Sequence, residues 1–215
     1  MGFTIDFFGQ NHGTVYVNNN GNVTFAGPRS AYTPQSLAGL GIEIIAPFWA
    51  DVDTRSADSD VVKYGTGTVN GHGAFGVDWV NVGYYSGHGD KLLSCQLVII
   101  DRSDIGAGDF DLEFNYAKVQ WQWGDVTLNI PARAGFASDL GGSYELAGSG
   151  VSGAFLDTNL ETGLIYNSLN CSEPGRYFFS FRDGIPVAVP EPSTMALAGA
   201  GLLLAVISTR RRGRF

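Results

Sequence analysis

Apolar and polar residues alternate with a period of two along much of this chain, the spacing of a half-buried β-strand. Residues 110–116 show it most cleanly. Phe110, Leu112, Phe114 and Tyr116 fall on one side, and Asp111, Glu113 and Asn115 on the other. After Tyr116 the apolar set becomes Val119, Trp121 and Trp123, so the phase slips. That slip predicts a bulge or bend between Tyr116 and Val119. Residues 1–25 read as a hairpin, with Val15 and Val17 ahead of an Asn18-Asn19-Asn20-Gly21 turn that supplies the positive φ of tight turns. Residues 28–41 are a Ser-, Pro- and Gly-rich loop. Ile44 and Ile45 predict a buried strand that Pro47 ends or bulges, followed by Phe48 and Trp49 as core aromatics. Further strands are expected at 61–64, 74–85 and 92–101, with 65–73 as a turn region. Shorter ones are expected at 132–137, 143–146, 163–166 and 176–182. Strands and turns at this spacing predict an all-β fold, an antiparallel β-sandwich.

The pattern changes at the C-terminus. Pro190-Glu191-Pro192 stops any preceding element, an uncharged apolar run follows from Met195 to Ser208, and Arg210, Arg211, Arg212 and Arg214 close the chain. Residues 193–209 would make a helix of roughly 25 Å, at the short end for a bilayer core of ~30 Å. The arginines favour a membrane segment over a buried soluble helix and place the C-terminus on the cytoplasmic side. The expected division is therefore a β domain at 1–186 and a tail at 187–215, with a transmembrane helix at about 193–209.

Composition sharpens the division. The chain carries −8 overall, but four of its 13 basic residues and only one of its 21 acids lie beyond Val189, so residues 1–189 are net −11. That acidity weighs against nucleic acid and anionic lipid as partners of the β domain, and favours cations or neutral glycans. Thirty glycines and 13% aromatics suit a turn-rich β domain. The first residues show no basic start, apolar core or small-residue cleavage site, so no signal peptide is recognisable. The expectation is a truncated or miscalled N-terminus.

Val189-Pro190-Glu191-Pro192-Ser193-Thr194, the apolar run and the arginine cluster together resemble the PEP-CTERM sorting tail of bacterial exported proteins. The resemblance implies that an exosortase-type membrane protease recognises the tail and cuts near Pro190–Pro192, so that membrane anchoring is transient. A second resemblance covers most of the remaining chain. YVNNNGNVTF (16–25), IIAPFWADVDTR (44–55), CQLVIIDRSDIGAGDFDLEFNYAKVQW (95–121) and RYFFSFRDG (176–184) look like the NIDO domain, an extracellular module of nidogen and alpha-tectorin. It implies an adhesive or matrix context and supplies neither an agreed ligand nor catalytic residues. The family usually has Phe before the Gln of its middle strand where this chain has Cys95.

Candidate chemistry is sparse. Asp51, Asp53, Asp58 and Asp60 lie close enough in sequence to offer oxygens to Ca²⁺, the one cofactor considered. They do not form an EF-hand loop, since counting from Asp51 the sixth residue is Ser56 and the twelfth Val62. The alternative is that they form turns and solvated surface, with Arg55 as an ion-pair partner. Asp101, Asp104, Asp109 and Asp111 make a looser second group. Trp49, Trp79, Trp121 and Trp123, with Tyr84 and Tyr85, are either core or a sugar-stacking platform, with core favoured. Cys95 and Cys171 are the only cysteines and, in an exported chain, either pair across a loop of ~76 residues or remain separate. His12, His72 and His88 sit beside glycines in apparent turns, outside any triad or zinc pattern. The expectation is a non-catalytic exported surface or matrix module that binds extracellular matrix or exopolysaccharide components. The alternatives are a Ca²⁺-dependent carbohydrate-binding module and a secreted glycan hydrolase.

Overall fold

A computed structural model describes residues 1–127 and 129–187. Its strands, in chain order, are β1 (Ile5–Phe7), β2 (Gln10–His12), β3 (Tyr16–Asn18), β4 (Asn22–Thr24), β5 (Ile44–Trp49), β6 (Val52–Asp53), β7 (Lys63–Val69), β8 (His72–Tyr84), β9 (His88–Asp101) and β10 (Phe110–Val119), then β11 (Arg133–Ala137), β12 (Ser143–Glu145), β13 (Arg176–Arg182) and β14 (Ile185–Pro186). One short 3₁₀ turn, Asp125–Thr127, precedes β11. The larger sheet runs β14-β13-β10-β9-β8-β6, with β7 also on β8, and the smaller runs β12-β11-β5-β4-β3. β1 and β2 form a separate hairpin. Every described strand pair is antiparallel.

The inner faces of the two sheets meet in one core. Alternation in β13 buries Tyr177, Phe179 and Phe181, which register against Phe114, Leu112 and Phe110 of β10. Phe110 and Phe181 stack with centroids 4.5 Å apart. From the smaller sheet Phe136 packs edge-on against Phe179, and Phe48 against Trp121. Such aromatic pairs add to what their burial alone contributes. On the outer face of the larger sheet, Asp111 accepts hydrogen bonds from Arg102 (2.8 Å) and Arg182 (2.7 Å), and Glu113 pairs with Arg176. The acids of the alternating pattern are thus buried under arginines, as carboxylates removed from water require.

The slip after Tyr116 is a bulge. The β10–β9 register shifts between Tyr116 and Lys118, which turns Val119 back to the core. Pro47 does not end its strand; β5 runs through it, and the β5–β11 register shifts nearby, between Arg133 and Gly135. Two expectations fail. Residues 65–69 are not a turn, because they pair with β8 as the last five of the seven paired positions of β7, and the chain reverses only at Asn70-Gly71, both at positive φ. Residues 163–166 form turns, not a strand.

The cysteine pair is also corrected: both thiols are free. Cys95 lies in β9, whereas the segment leading to Cys171 bridges β13 on the side away from β10, through Leu169 and Tyr177. Two strands therefore separate them, roughly 14 Å of sheet at about 4.8 Å per spacing. A disulfide tolerates a Cα separation of no more than ~7 Å. The transmembrane helix expected at 193–209 lies outside the described residues, and none of the described elements is a helix long and apolar enough to cross a membrane.

Candidate binding cleft

At one end of the sandwich the β3–β4 turn, the loop after β4 and the chain following β5 enclose an open cleft of about 650 Å³. Its walls include Asn18, Asn19, Asn20, Arg29, Tyr32, Asp51, Asp53, Arg55 and Tyr85. The turn is held from several sides. Asn18 donates through Nδ2 to Asn22 Oδ1 (2.9 Å) and Thr24 Oγ1 (3.0 Å), and its Oδ1 accepts from Arg29 N (2.8 Å). Asn19 donates to Val52 O (2.8 Å) while its own carbonyl accepts from the Trp79 indole (3.1 Å). Gly21, at φ 74°, lies against β5 so closely that a Cβ there would sit 1.8 Å from Phe48 O. Glycine is the residue that permits both the φ and the approach.

On the opposite wall Asp53 holds Arg55, accepting from its Nε (2.8 Å) and Nη2 and also from Gly87 N (2.9 Å). The Arg55 hydrogen bonds, opposed by burial and helped by the Gly87 amide, pull the Asp53 carboxyl down to about 2. Arg55 in turn lies 5.7 Å from the Tyr85 ring centroid. Asp51 is in a different position. It is only 5% exposed, its side chain makes no hydrogen bond, and Oδ2 is fully buried beside Gly124 and Tyr85. Burial, and then the neighbouring Asp53 charge, raise its carboxyl to about 6, with Arg55 partly offsetting them. Arg29 stacks 5.1 Å over Trp49 and likewise has a buried Nε with no partner.

The four aspartates expected to gather around calcium are not brought together. Asp51 and Asp53 line the cleft, Asp53 is committed to Arg55, and Asp58 and Asp60 are exposed on the loop beyond. Among the described residues no three His, Cys, Asp or Glu side chains are placed to hold a metal ion. The second acidic group is tied to arginines and to the backbone: Asp104 and Asp111 to Arg102, and Asp109 to Asp183 N. Trp49, Trp79 and Trp121 are core residues, each indole bonded to a backbone carbonyl, and Trp123 is half-buried. The histidines are dispersed, His12 on Glu43 (2.8 Å), His72 near Asp104 and His88 on Asp125 (2.9 Å). Val189, Pro190, Glu191, Pro192, Arg210, Arg211 and Arg212 lie outside the described residues.

The comparisons place this antiparallel sandwich in a family. The profile described as NIDO related matches residues 1–162, and the PEP-CTERM protein-sorting motif matches 188–212. Alpha-tectorin of Mus musculus is 32% identical over 83% of this chain, alpha-tectorin of Homo sapiens 31% over 83%, and nidogen of Drosophila melanogaster 28% over 74%. The chain belongs to the NIDO-related family. It spans only 9% of each of these two alpha-tectorins and 14% of that nidogen. No solved structure matches it significantly. Extracellular-domain relatives and a sorting motif on one chain point to an exported, surface-associated protein.

Proposed function

We propose that the protein is a non-catalytic, adhesion-type binding module of the bacterial surface, delivered to the envelope or its exopolysaccharide by a tail that an exosortase-type protease removes. The observation that carries this reading is the cleft at the β3–β4 turn. Its walls are fixed by hydrogen bonds and ion pairs within the domain, so a ligand meets groups already in place, and little ordering entropy opposes binding. Its residues offer amides, guanidiniums, carboxylates and tyrosine faces, the mixture that suits recognition of polar polymers.

The test is co-sedimentation of the full chain with exopolysaccharide and matrix material from a host that encodes it. Wild type is expected to sediment with the polymer, and a triple change of Asn19, Tyr32 and Tyr85 to Ala to remain in the supernatant. Release of new reducing ends by the wild type would replace this reading with a hydrolase.

A further inference from the structure

We infer that β7 is the contact edge of a two-fold homodimer, in which the β7 strands of two copies pair antiparallel about Thr66 and join the two larger sheets into one. The inference is independent of the cleft and of the adhesion reading.

Three observations carry it. First, β7 is a long edge strand with its outer side open. It pairs with β8 alone, and among the described residues no other backbone hydrogen bond reaches 63–69. Residues 63–68 are all exposed. The other sheet edges are protected. Across the larger sheet, Leu169, Asn170 and Val187 hydrogen-bond to the outward groups of β13, and β14 has two residues, one of them Pro186. In the smaller sheet the edge strands β3 and β12 have three residues each. β7 has seven, in unbroken register with β8, without proline or bulge and with Lys63 at its end as its one charge. Folded proteins usually blunt an edge by such devices, because its unpaired N–H and C=O groups template another strand.

Second, the outward-facing groups are defined. The chain reverses through the two-residue turn Asn70-Gly71, at φ 50° and 85°, which makes Val69 and His72 a hydrogen-bonded pair. The alternation of antiparallel pairs then commits Lys63, Gly65, Gly67 and Val69 to β8, and turns the N–H and C=O of Tyr64, Thr66 and Thr68 outward.

Third, that set is its own complement, as an isologous contact requires. With the axis at Thr66, Tyr64 of one copy meets Thr68 of the other and Thr66 meets Thr66, so every outward N–H finds a carbonyl. The two Thr66 side chains form a cross-strand pair, a favourable combination. Gly65 comes opposite Gly67, and the space beside both is open. The two Lys63 residues fall six positions apart along the strand, roughly 20 Å, well beyond a screening length of ~8 Å. β7 contains no acid although residues 1–189 are net −11, so the paired strands bring no carboxylates of their own together. A foreign strand would have to reproduce this match, whereas a second copy has it by symmetry. Seven residues a side make a contact of the small, transient class, so dimerisation should depend on concentration.

Sedimentation equilibrium of the full chain in a density-matched detergent tests the assignment. Wild type should show a monomer–dimer equilibrium. Thr66→Pro removes an outward N–H that β8 does not use, and Thr66→Lys sets two ammoniums face to face on the axis. Each should weaken the dimer tenfold or more with an unchanged far-UV circular dichroism spectrum. Mixing Thr66→Lys with Thr66→Glu should restore it, because the axis then pairs opposite charges. Wild type that stays monomeric at millimolar concentration overturns the inference and leaves the edge to a strand of another protein. Both single variants dimerising as wild type does would place the association elsewhere, in the apolar tail or another surface. Failure of the Lys and Glu variants to restore each other would overturn the pairing about Thr66.

Discussion

Asp51 and Asp53 are two residues apart and face opposite consequences of pH. The ordinary carboxyl value is 3.8, and in the folded protein Asp51 is raised to about 6, first by burial. The native state therefore holds a proton that the unfolded chain gives up between about pH 4 and 6, so stability falls as pH rises through that window. Asp53, lowered to about 2 chiefly by its Arg55 hydrogen bonds, behaves in the reverse sense. Its contribution is fully present above about pH 4 and is lost as pH falls toward 2. Asp51→Asn should therefore flatten the decline in melting temperature between pH 4 and 6.5 in scanning calorimetry, with the acid-side decline below pH 4 unchanged. A variant curve parallel to wild type across pH 4–6.5 would show that the carboxyl is not buried uncompensated. This distinction between the two acids could not be read from their spacing. Sequence placed both in a polar acidic loop, whereas burial of Asp51 depends on Tyr85 and Gly124, more than thirty positions away. Arg29 was equally invisible, since nothing in a Ser- and Pro-rich loop signals that one cation will stack on Trp49.

At the scale of elements, what was legible followed from local periodicity, and what was missed depended on pairing partners. The slip at Tyr116 was readable because a period of two admits no other explanation, and β13 was readable because its alternation is unbroken. β7 was readable only at its start, within the strand expected at 61–64, because the Gly-Thr alternation of 65–69 has no apolar face and is a strand only through its register with β8. The bulge at Tyr116 has a further consequence, since the Tyr116 hydroxyl crosses the core to donate to Pro47 O at 2.6 Å. Tyr116→Phe removes that buried hydrogen bond and should cost about 1–3 kcal/mol in urea unfolding, without changing the slope of the transition. Two turn glycines make a sharper comparison. Gly71 ends the β7–β8 hairpin at φ 85° with nothing within 4 Å of an added Cβ, so Gly71→Ala should cost only the conformational strain, ~1–2 kcal/mol. Gly21→Ala adds to the same strain a collision with the backbone of β5, and should destabilise several times as much or prevent folding. Equal effects of the two alanines would mean that the β3–β4 turn is not pressed against β5.

For the whole molecule, the two matched parts carry opposite charge and opposite solvation requirements. Residues 1–189 are net −11, a composition that remains soluble, whereas the segment beyond them is an uncharged apolar run ending in four arginines. If residues 193–209 were a permanent anchor, their roughly 25 Å as a helix would sit at the short end for a bilayer core of ~30 Å. A segment held only until cleavage has no need of the full span. The PEP-CTERM motif at 188–212 begins one residue after the last described residue of the β domain, so a cut near Pro190 would remove the run and leave the cleft intact. In a host carrying an exosortase-type protease, intact-mass measurement of the surface-recovered protein should place its C-terminus within residues 189–192. Deleting the protease, or changing Arg210, Arg211 and Arg212 to Ala, should shift the recovered mass to that of the uncut chain and move the protein into the membrane fraction. Recovery of Arg210–Phe215 on surface protein from the unmodified host would show instead that the tail is a lasting anchor. In that case the cleft acts at fixed distance from the membrane, not in the released matrix.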